Sequence, residues 1–290
     1  MPVCVYSSEL IYRVLEKIPN LNKLGVILND YTEGVYSEAF CQAYTKNTQA
    51  LEVYIKGDLD YAEKLANESI AYEKNYAEAY STLGTVLLKK HQYDKAVKSY
   101  KRASELVPSS LLLGLWANAM HKQNMATGKD SLSVEVESVL NLAIDKDRNL
   151  FGNYNFLVNA YLDFYLNEKA YPFLEKMEDF LNFNQVNIID EIYFYKNMGK
   201  YYLNIKNIDK AIYFLRKAND SISLDGGIGI YEMEVDIFYL LGLAYEDKKD
   251  SKSVCNFWNG YLKNLEYDYL AEKRKMYIDG LNIDCLKKGE

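Results

Sequence analysis

Apolar and polar residues follow one another along this chain with the period of an α-helix, and the helical stretches come in pairs. In residues 77–110, Tyr80, Leu83, Gly84 and Leu87 share one face of a first helix. Ala96, Tyr100 and Ala103 share one face of a second, and Pro108 closes the pair. Spacings of three and four residues mark the buried stripe of an amphipathic helix. Counted from Ala77, these residues occupy positions 4, 7, 8, 11, 20, 24, 27 and 32 of a 34-residue block. Gly84 and Ala96 are small where two paired helices cross closely. Pro108 lacks an N–H and disfavours helical backbone in the residue before it, so the second helix ends there.

The block recurs before and after this stretch. Residues 43–76 place Ala62, Ala66 and Ser69 at positions 20, 24 and 27, behind a degenerate first helix with Lys46, Gln49, Ala50 and Val53. Residues 110–150 give Leu113, Trp116, Ala117 and Met120, then Val136, Leu140 and Ala143, with seven extra residues between them near 123–133. Loop closure costs grow only logarithmically, so this insertion is cheap, a few tenths of a kcal/mol, roughly. Residues 151–184 give Tyr154, Leu157, Val158 and Tyr161, then Ala170, Leu174 and Met177. Residues 192–225 give Tyr195, Met198, Gly199 and Tyr202, then Ala211, Leu215 and Ala218. A second insertion near 224–234 precedes residues 235–268, with Phe238, Leu241, Gly242 and Tyr245, then Val254, Trp258 and Tyr261.

The ends read as covers for this stack. Residues 1–42 are expected to form an N-terminal helical cap, with Leu10, Ile11, Val14, Leu15 and Ile18 at helical spacing before Pro19. Residues 269–290 are expected to form a C-terminal capping helix. Leu270, Met276, Tyr277, Leu281 and Leu286 would lie on its apolar side, with Lys273, Arg274 and Lys275 toward solvent.

The block resembles the tetratricopeptide repeat, over about residues 43–268. The resemblance implies an all-α fold, a TPR-type α-solenoid built as a right-handed superhelix of antiparallel helix pairs, each pair covered by its neighbour. It also implies a concave groove lined by the first helix of each pair, through positions 2, 5, 9, 12 and 13. Those positions carry Glu78, Ser81 and Thr85 in one block, and Asn118 and His121 in the next. Further along they carry Asn155, Asn159 and Asp163, then Lys196, Lys200 and Asn204 with Asn197 at the adjacent position 6. Asp236 and Tyr239 follow in the last block. Nine of these are the expected contacts of a partner: Asn118, His121, Asn155, Asn159, Lys196, Asn197, Lys200, Asn204 and Tyr239. A primary amide donates and accepts at once, so it can bond both polar groups of an extended peptide. Two lysines one turn apart attract a carboxylate. As ligand contacts, Asn155 and Asn159 are expected to be dispensable for stability. The Lys/Asn clamp of the members that bind chaperone tails is not reproduced, since Ser81 and Thr85 stand at positions 5 and 9 of the clearest block.

Composition narrows the function. A formal net charge of −7 argues against a protein that neutralises phosphates, and the first forty residues hold only three basic side chains, so no nucleic acid is expected. The longest apolar run, Leu111 to Met120, is too short to span a bilayer, and the N-terminus lacks the pattern of a signal peptide. Cys4, Cys41, Cys255 and Cys285 are scattered, without Cys-x-x-Cys spacing, and read as buried, reduced thiols of a cytoplasmic protein. His91 and His121 are the only histidines, and no metal-ligand spacing, phosphate loop or nucleophile motif is present. No cofactor and no catalysis are expected.

Two function classes follow. The first is a non-enzymatic adaptor or regulatory protein that holds a peptide or an extended segment of a partner protein in its groove. The second is an intracellular receptor for a short signalling peptide. The groove asparagines and the helical N-terminal region are similar to the peptide-pheromone receptors of Gram-positive bacteria and their phages, which include the Rap-type phosphatases and the arbitrium receptors. Those proteins mostly place an effector domain before the repeats, and this chain shows no recognisable DNA-binding domain there. The resemblance therefore implies action through a protein partner or through a change in homodimerisation.

Overall fold

In the computed structural model, residues 37–183, 187–225, 231–265, 268 and 270–281 are described. They form thirteen helices and, among the described residues, no strand. In order these are α1 (Glu38–Ile55), α2 (Leu59–Tyr72), α3 (Ala77–Lys89), α4 (Tyr93–Leu106), α5 (Ser110–Ala126), α6 (Val134–Lys146) and α7 (Phe151–Asp163). They continue as α8 (Asn167–Asn182), α9 (Ile188–Asn204), α10 (Ile208–Asp225), α11 (Tyr231–Asp247), α12 (Ser251–Leu262) and α13 (Ala271–Gly280). The fold is an all-α, TPR-type solenoid of antiparallel helix pairs. The expected N-terminal cap lies mostly outside the described residues, and α1 begins at Glu38, five residues ahead of the expected boundary at residue 43.

The chain divides into two compact units. The first holds residues 1–127 and 133–153, the second residues 128–132 and 154–290. In the first, α1 packs on α2, α3 on α4 and α5 on α6, and successive pairs stack. Its core holds Leu65, Leu83, Leu87 and Ala96 in one cluster, and Ala77, Ala103 and Leu112 in another. In the second unit, Ile192, Leu215, Leu241, Val254, Trp258 and Tyr261 belong to one continuous core.

Positions 8 and 24 face each other, and the division of volume between them sets the spacing of each pair. A methyl group on Gly84 would lie 2.9 Å from the ring of Tyr100. One on Gly199 would overlap the Leu215 side chain, and one on Gly242 would overlap the indole of Trp258. Glycine is thus required to admit a large side chain from the opposite helix, not a second small one. Gly242→Ala should overpack this contact and destabilise the second unit by about 1–3 kcal/mol. Urea melts of the two chains measure this, and coincident midpoints would contradict the packing described.

The turn inside each pair also repeats. Gly57, His91, Tyr165, Lys206 and Lys249 all have left-handed backbone, with φ between 56° and 87°. All five occupy position 15 of their blocks. Each closes with the same two main-chain bonds, as in His91 N to Leu88 O (3.0 Å) and Gln92 N to Leu87 O (2.9 Å). This is a Schellman ending, in which the last carbonyls of the first helix find N–H partners beyond it. Only Gly57 adopts it without the Cβ penalty of the left-handed region. The 110–150 block departs from the rule because its insertion separates α5 from α6.

Two expectations from the sequence are corrected. Cys41 and Cys255 are each engaged in a disulfide rather than being buried thiols. Disulfide pairing depends on Cα separation in the fold, which needs no local Cys spacing to reveal it. Disulfides persist mainly in oxidising compartments, so the chemical ground for the cytoplasmic expectation falls away. In α13, Arg274 is buried while Met276 and Tyr277 are exposed, against expectation, whereas Lys273 and Lys275 face solvent as expected. The helix continues the 34-residue register from position 235, and its buried side is the one on which Arg274 meets Asp236 and Asp268.

Candidate functional site

Polar side chains gather on the first helices of the pairs, at the positions named from the sequence. In the second unit they bond chiefly to one another. Asn155 accepts from two amides, Asn197 Nδ2 at 2.8 Å and Asn159 Nδ2 at 2.9 Å. Asn197 is fully buried and Asn155 nearly so. Asn204 Nδ2 donates to the Leu162 carbonyl at 2.9 Å and to Asn167 Oδ1 at 3.1 Å. Lys200 pairs with Asp163.

Lys196 Nζ lies 3.1 Å from Asp236 Oδ2, and Arg274 Nη2 lies 2.6 Å from Asp236 Oδ1. Arg274 Nη1 reaches Asp268 at 3.2 Å, and Tyr261 donates its hydroxyl proton to the same carboxylate. The Arg274 guanidinium also lies over the ring of Tyr239, 4.3 Å from its centroid. Burial penalises the charge on Lys196 and pulls its pKa down, against the pull of Asp236. Burial likewise opposes ionisation of Asp236, but Lys196, Arg274 and Lys200 overcome it and hold the carboxyl well below the usual carboxylate range. Burial raises the Tyr239 phenol.

The first unit differs. Asn118 is half-buried on α5, and His121 is buried one turn further along. On α3, Thr85 bonds the Tyr100 hydroxyl at 2.9 Å. Glu78, at position 2 of its block, is buried, and neither carboxylate oxygen has a hydrogen-bond partner in another described residue. Burial pushes its carboxyl up to about 7. On the adjacent α1, Asn47 is buried and its Oδ1 is also without a partner among the described residues.

The structure thus brings Asn155, Asn159 and Asn197 into contact, and pairs Lys196 and Lys200 with carboxylates inside their own unit. Asn155 serves the fold, because its removal would strand the buried amide of Asn197; it is not dispensable in the way the sequence suggests. Asp163 and Asp236 stand at positions 13 and 2 of their blocks, but pairing across about forty residues has no local signature. Arg274, which spacing alone assigns to solvent, is part of the same buried network. Asn47 escapes the sequence pattern because its helix lacks the block's apolar consensus, although stepping back one period from Ser81 leads directly to it.

Among the described residues, no group of three or more His, Cys, Asp or Glu side chains is arranged to hold a metal ion. No described helix is long and apolar enough to cross a membrane.

Comparison with known proteins agrees with this geometry. The family model for the tetratricopeptide repeat matches residues 77–110. A stretch of 118 residues is 29% identical to the bifunctional subunit NrfFG of the formate-dependent nitrite reductase complex of Haemophilus influenzae, spanning 40% of this chain and 29% of that protein. Among solved structures, PilW, a widely conserved type IV pilus biogenesis factor, superposes with a TM-score of 0.56 at 12% identity, over 78% of this chain and 94% of that one. The APC/C hetero-tetramer Cut9–Hcn1 gives 0.64 at 15% identity, over 91% of this chain and 47% of that one. A thermophilic TPR protein of Thermus thermophilus gives 0.51 at 18% identity, over 63% and 93%. The matched block at 77–110 is a tetratricopeptide repeat, and the helix pairs around it, with the glycine contacts at position 8, give the chain the fold of the tetratricopeptide-repeat solenoids it superposes on.

Proposed function

We propose that this chain is a non-catalytic interaction protein that holds an extended segment of a partner protein against the first helices of its repeats. The observation that carries the reading is the state of the inner positions in the first unit. Asn47 and Glu78 are buried there with acceptor atoms that no other described residue satisfies. Leaving such groups unpaired costs about 1–3 kcal/mol each, a cost that a bound segment would offset. The Haemophilus relative is named as a subunit of a complex, and Cut9–Hcn1 is a hetero-tetramer, which agrees with work inside assemblies.

A groove-blocking substitution tests this. Asn118→Arg places a long cation on the inner face of α5 at a half-buried position, where effects on the fold should stay within about 0.5 kcal/mol. The wild-type chain should retain a partner in stoichiometric amount from its host's extract. Limited proteolysis should trim that partner to a short protected segment, and Asn118→Arg should abolish retention. Retention by the variant at wild-type level would place the contact elsewhere. Stabilisation by a free short peptide, with no folded partner retained, would instead identify a peptide receptor.

A further inference from the structure

The second unit shows what the repeat register does with charge. Lys196 stands at position 5 of its block and Asp236 at position 2 of the next, and their side chains form a buried ion pair at 3.1 Å. In the first unit the same two register positions are held by Asn47 and Glu78, on helices α1 and α3, which pack side by side. The acid is retained and the lysine is not. Asn47 is 5% exposed and Glu78 6% exposed, and Asn47 Oδ1 and both Glu78 oxygens find no hydrogen-bond partner in another described residue. All three unsatisfied atoms are acceptors. What would complete the set is a group with several donors and a positive charge; a lysine ammonium has three N–H donors and no acceptor.

We propose that Asn47 and Glu78 form a subsite for one basic side chain, lysine above all, supplied by the bound segment of a partner. The subsite rests on the groove-binding reading above and gives it a specificity: the partner segment carries a cation where the second unit supplies its own. A lysine side chain suits a buried acid of this kind because its four-carbon stem follows apolar walls while its head reaches the carboxylate. The position of the charge along the segment would then set the register of the whole complex.

The subsite can be tested without any partner by supplying the ammonium from the chain itself. Asn47→Lys recreates the residue pairing seen at Lys196 and Asp236. At pH 8 it should raise the thermal midpoint by roughly 3 °C, whereas the same Asn47→Lys change made in a Glu78→Gln chain should bring no gain over Glu78→Gln alone. An unchanged or lowered midpoint for Asn47→Lys overturns the subsite, because it shows that Glu78 keeps a proton or another arrangement and cannot accept an ammonium. A second arm uses a display library of random ten-residue peptides selected on the full chain. Selected peptides should share a lysine or arginine at one fixed place and lose at least tenfold in affinity for both Asn47→Lys and Glu78→Gln. Peptides without a basic preference, or unaffected by either change, also overturn it. If the library yields no binder at all, the groove reading fails while the melting experiment still decides the subsite.

Discussion

Replacing Asp236 with alanine should destabilise the second unit by about 3–5 kcal/mol. The carboxylate lies between two cations, Lys196 at 3.1 Å and Arg274 at 2.6 Å, and both cations are buried. Arg274 keeps Asp268 when Asp236 is removed, but Lys196 keeps no carboxylate that it is seen to bond. The loss is therefore dominated by one stranded ammonium, whose desolvation is no longer offset. The intact pair need not be worth that much, since desolvating both partners consumes most of their attraction. A second variant separates the two quantities: Asp236→Leu combined with Lys196→Met removes both charges and should recover most of the loss. Denaturant melts at pH 7 measure all three chains. If the single variant melts with the wild type, the network contributes no more than surface charge. Acid dependence supplies a check of sign. The Asp236 carboxyl titrates below its ordinary range in the fold, so its contribution is present at neutral pH and disappears only when strong acid protonates it.

Glu78→Gln should act in the opposite direction and with the opposite pH dependence. Burial pushes the Glu78 carboxyl from its ordinary 4.5 up to about 7. The folded state then holds a proton that the unfolded state has released over that window. Stability is full below the ordinary value, declines as pH rises toward 7, and is flat above it. The total decline is about 3 kcal/mol, from 1.36 kcal/mol per unit of displacement. The glutamine amide carries no charge at any pH, so the Glu78→Gln chain should match the wild type near pH 4 and exceed it by about that amount at pH 8. Urea midpoints across pH 4–8 read this directly. A constant offset between the two chains would mean that Glu78 is solvated as an ordinary surface acid.

The fold was largely legible from residue spacing, because buried faces need apolar residues at three- and four-residue steps wherever the partner helix lies. Gly84, Gly199 and Gly242 mark close contacts, and the residues opposite them, Tyr100, Leu215 and Trp258, fall on the expected position 24. The site was legible only in part. Register shows which face a side chain takes but not what meets it there, so Lys196 and Lys200 read as open cations although each has a carboxylate in the fold. Arg274 is misplaced by spacing for a related reason. Arg274 is buried by pairing with Asp236 and Asp268, which no apolar stripe in the sequence announces. The disulfides of Cys41 and Cys255 lie beyond any periodic signal.

The left-handed residue at position 15 bears on how a protein of this design changes length over generations. His91, Tyr165, Lys206 and Lys249 accept that conformation without being glycine, and the bonds closing each bend come from main chain alone. The punctuation thus travels with the backbone rather than with any one side chain. A duplicated or deleted module arrives with its own hinge already specified, and surrounding residues are free to drift toward new tasks.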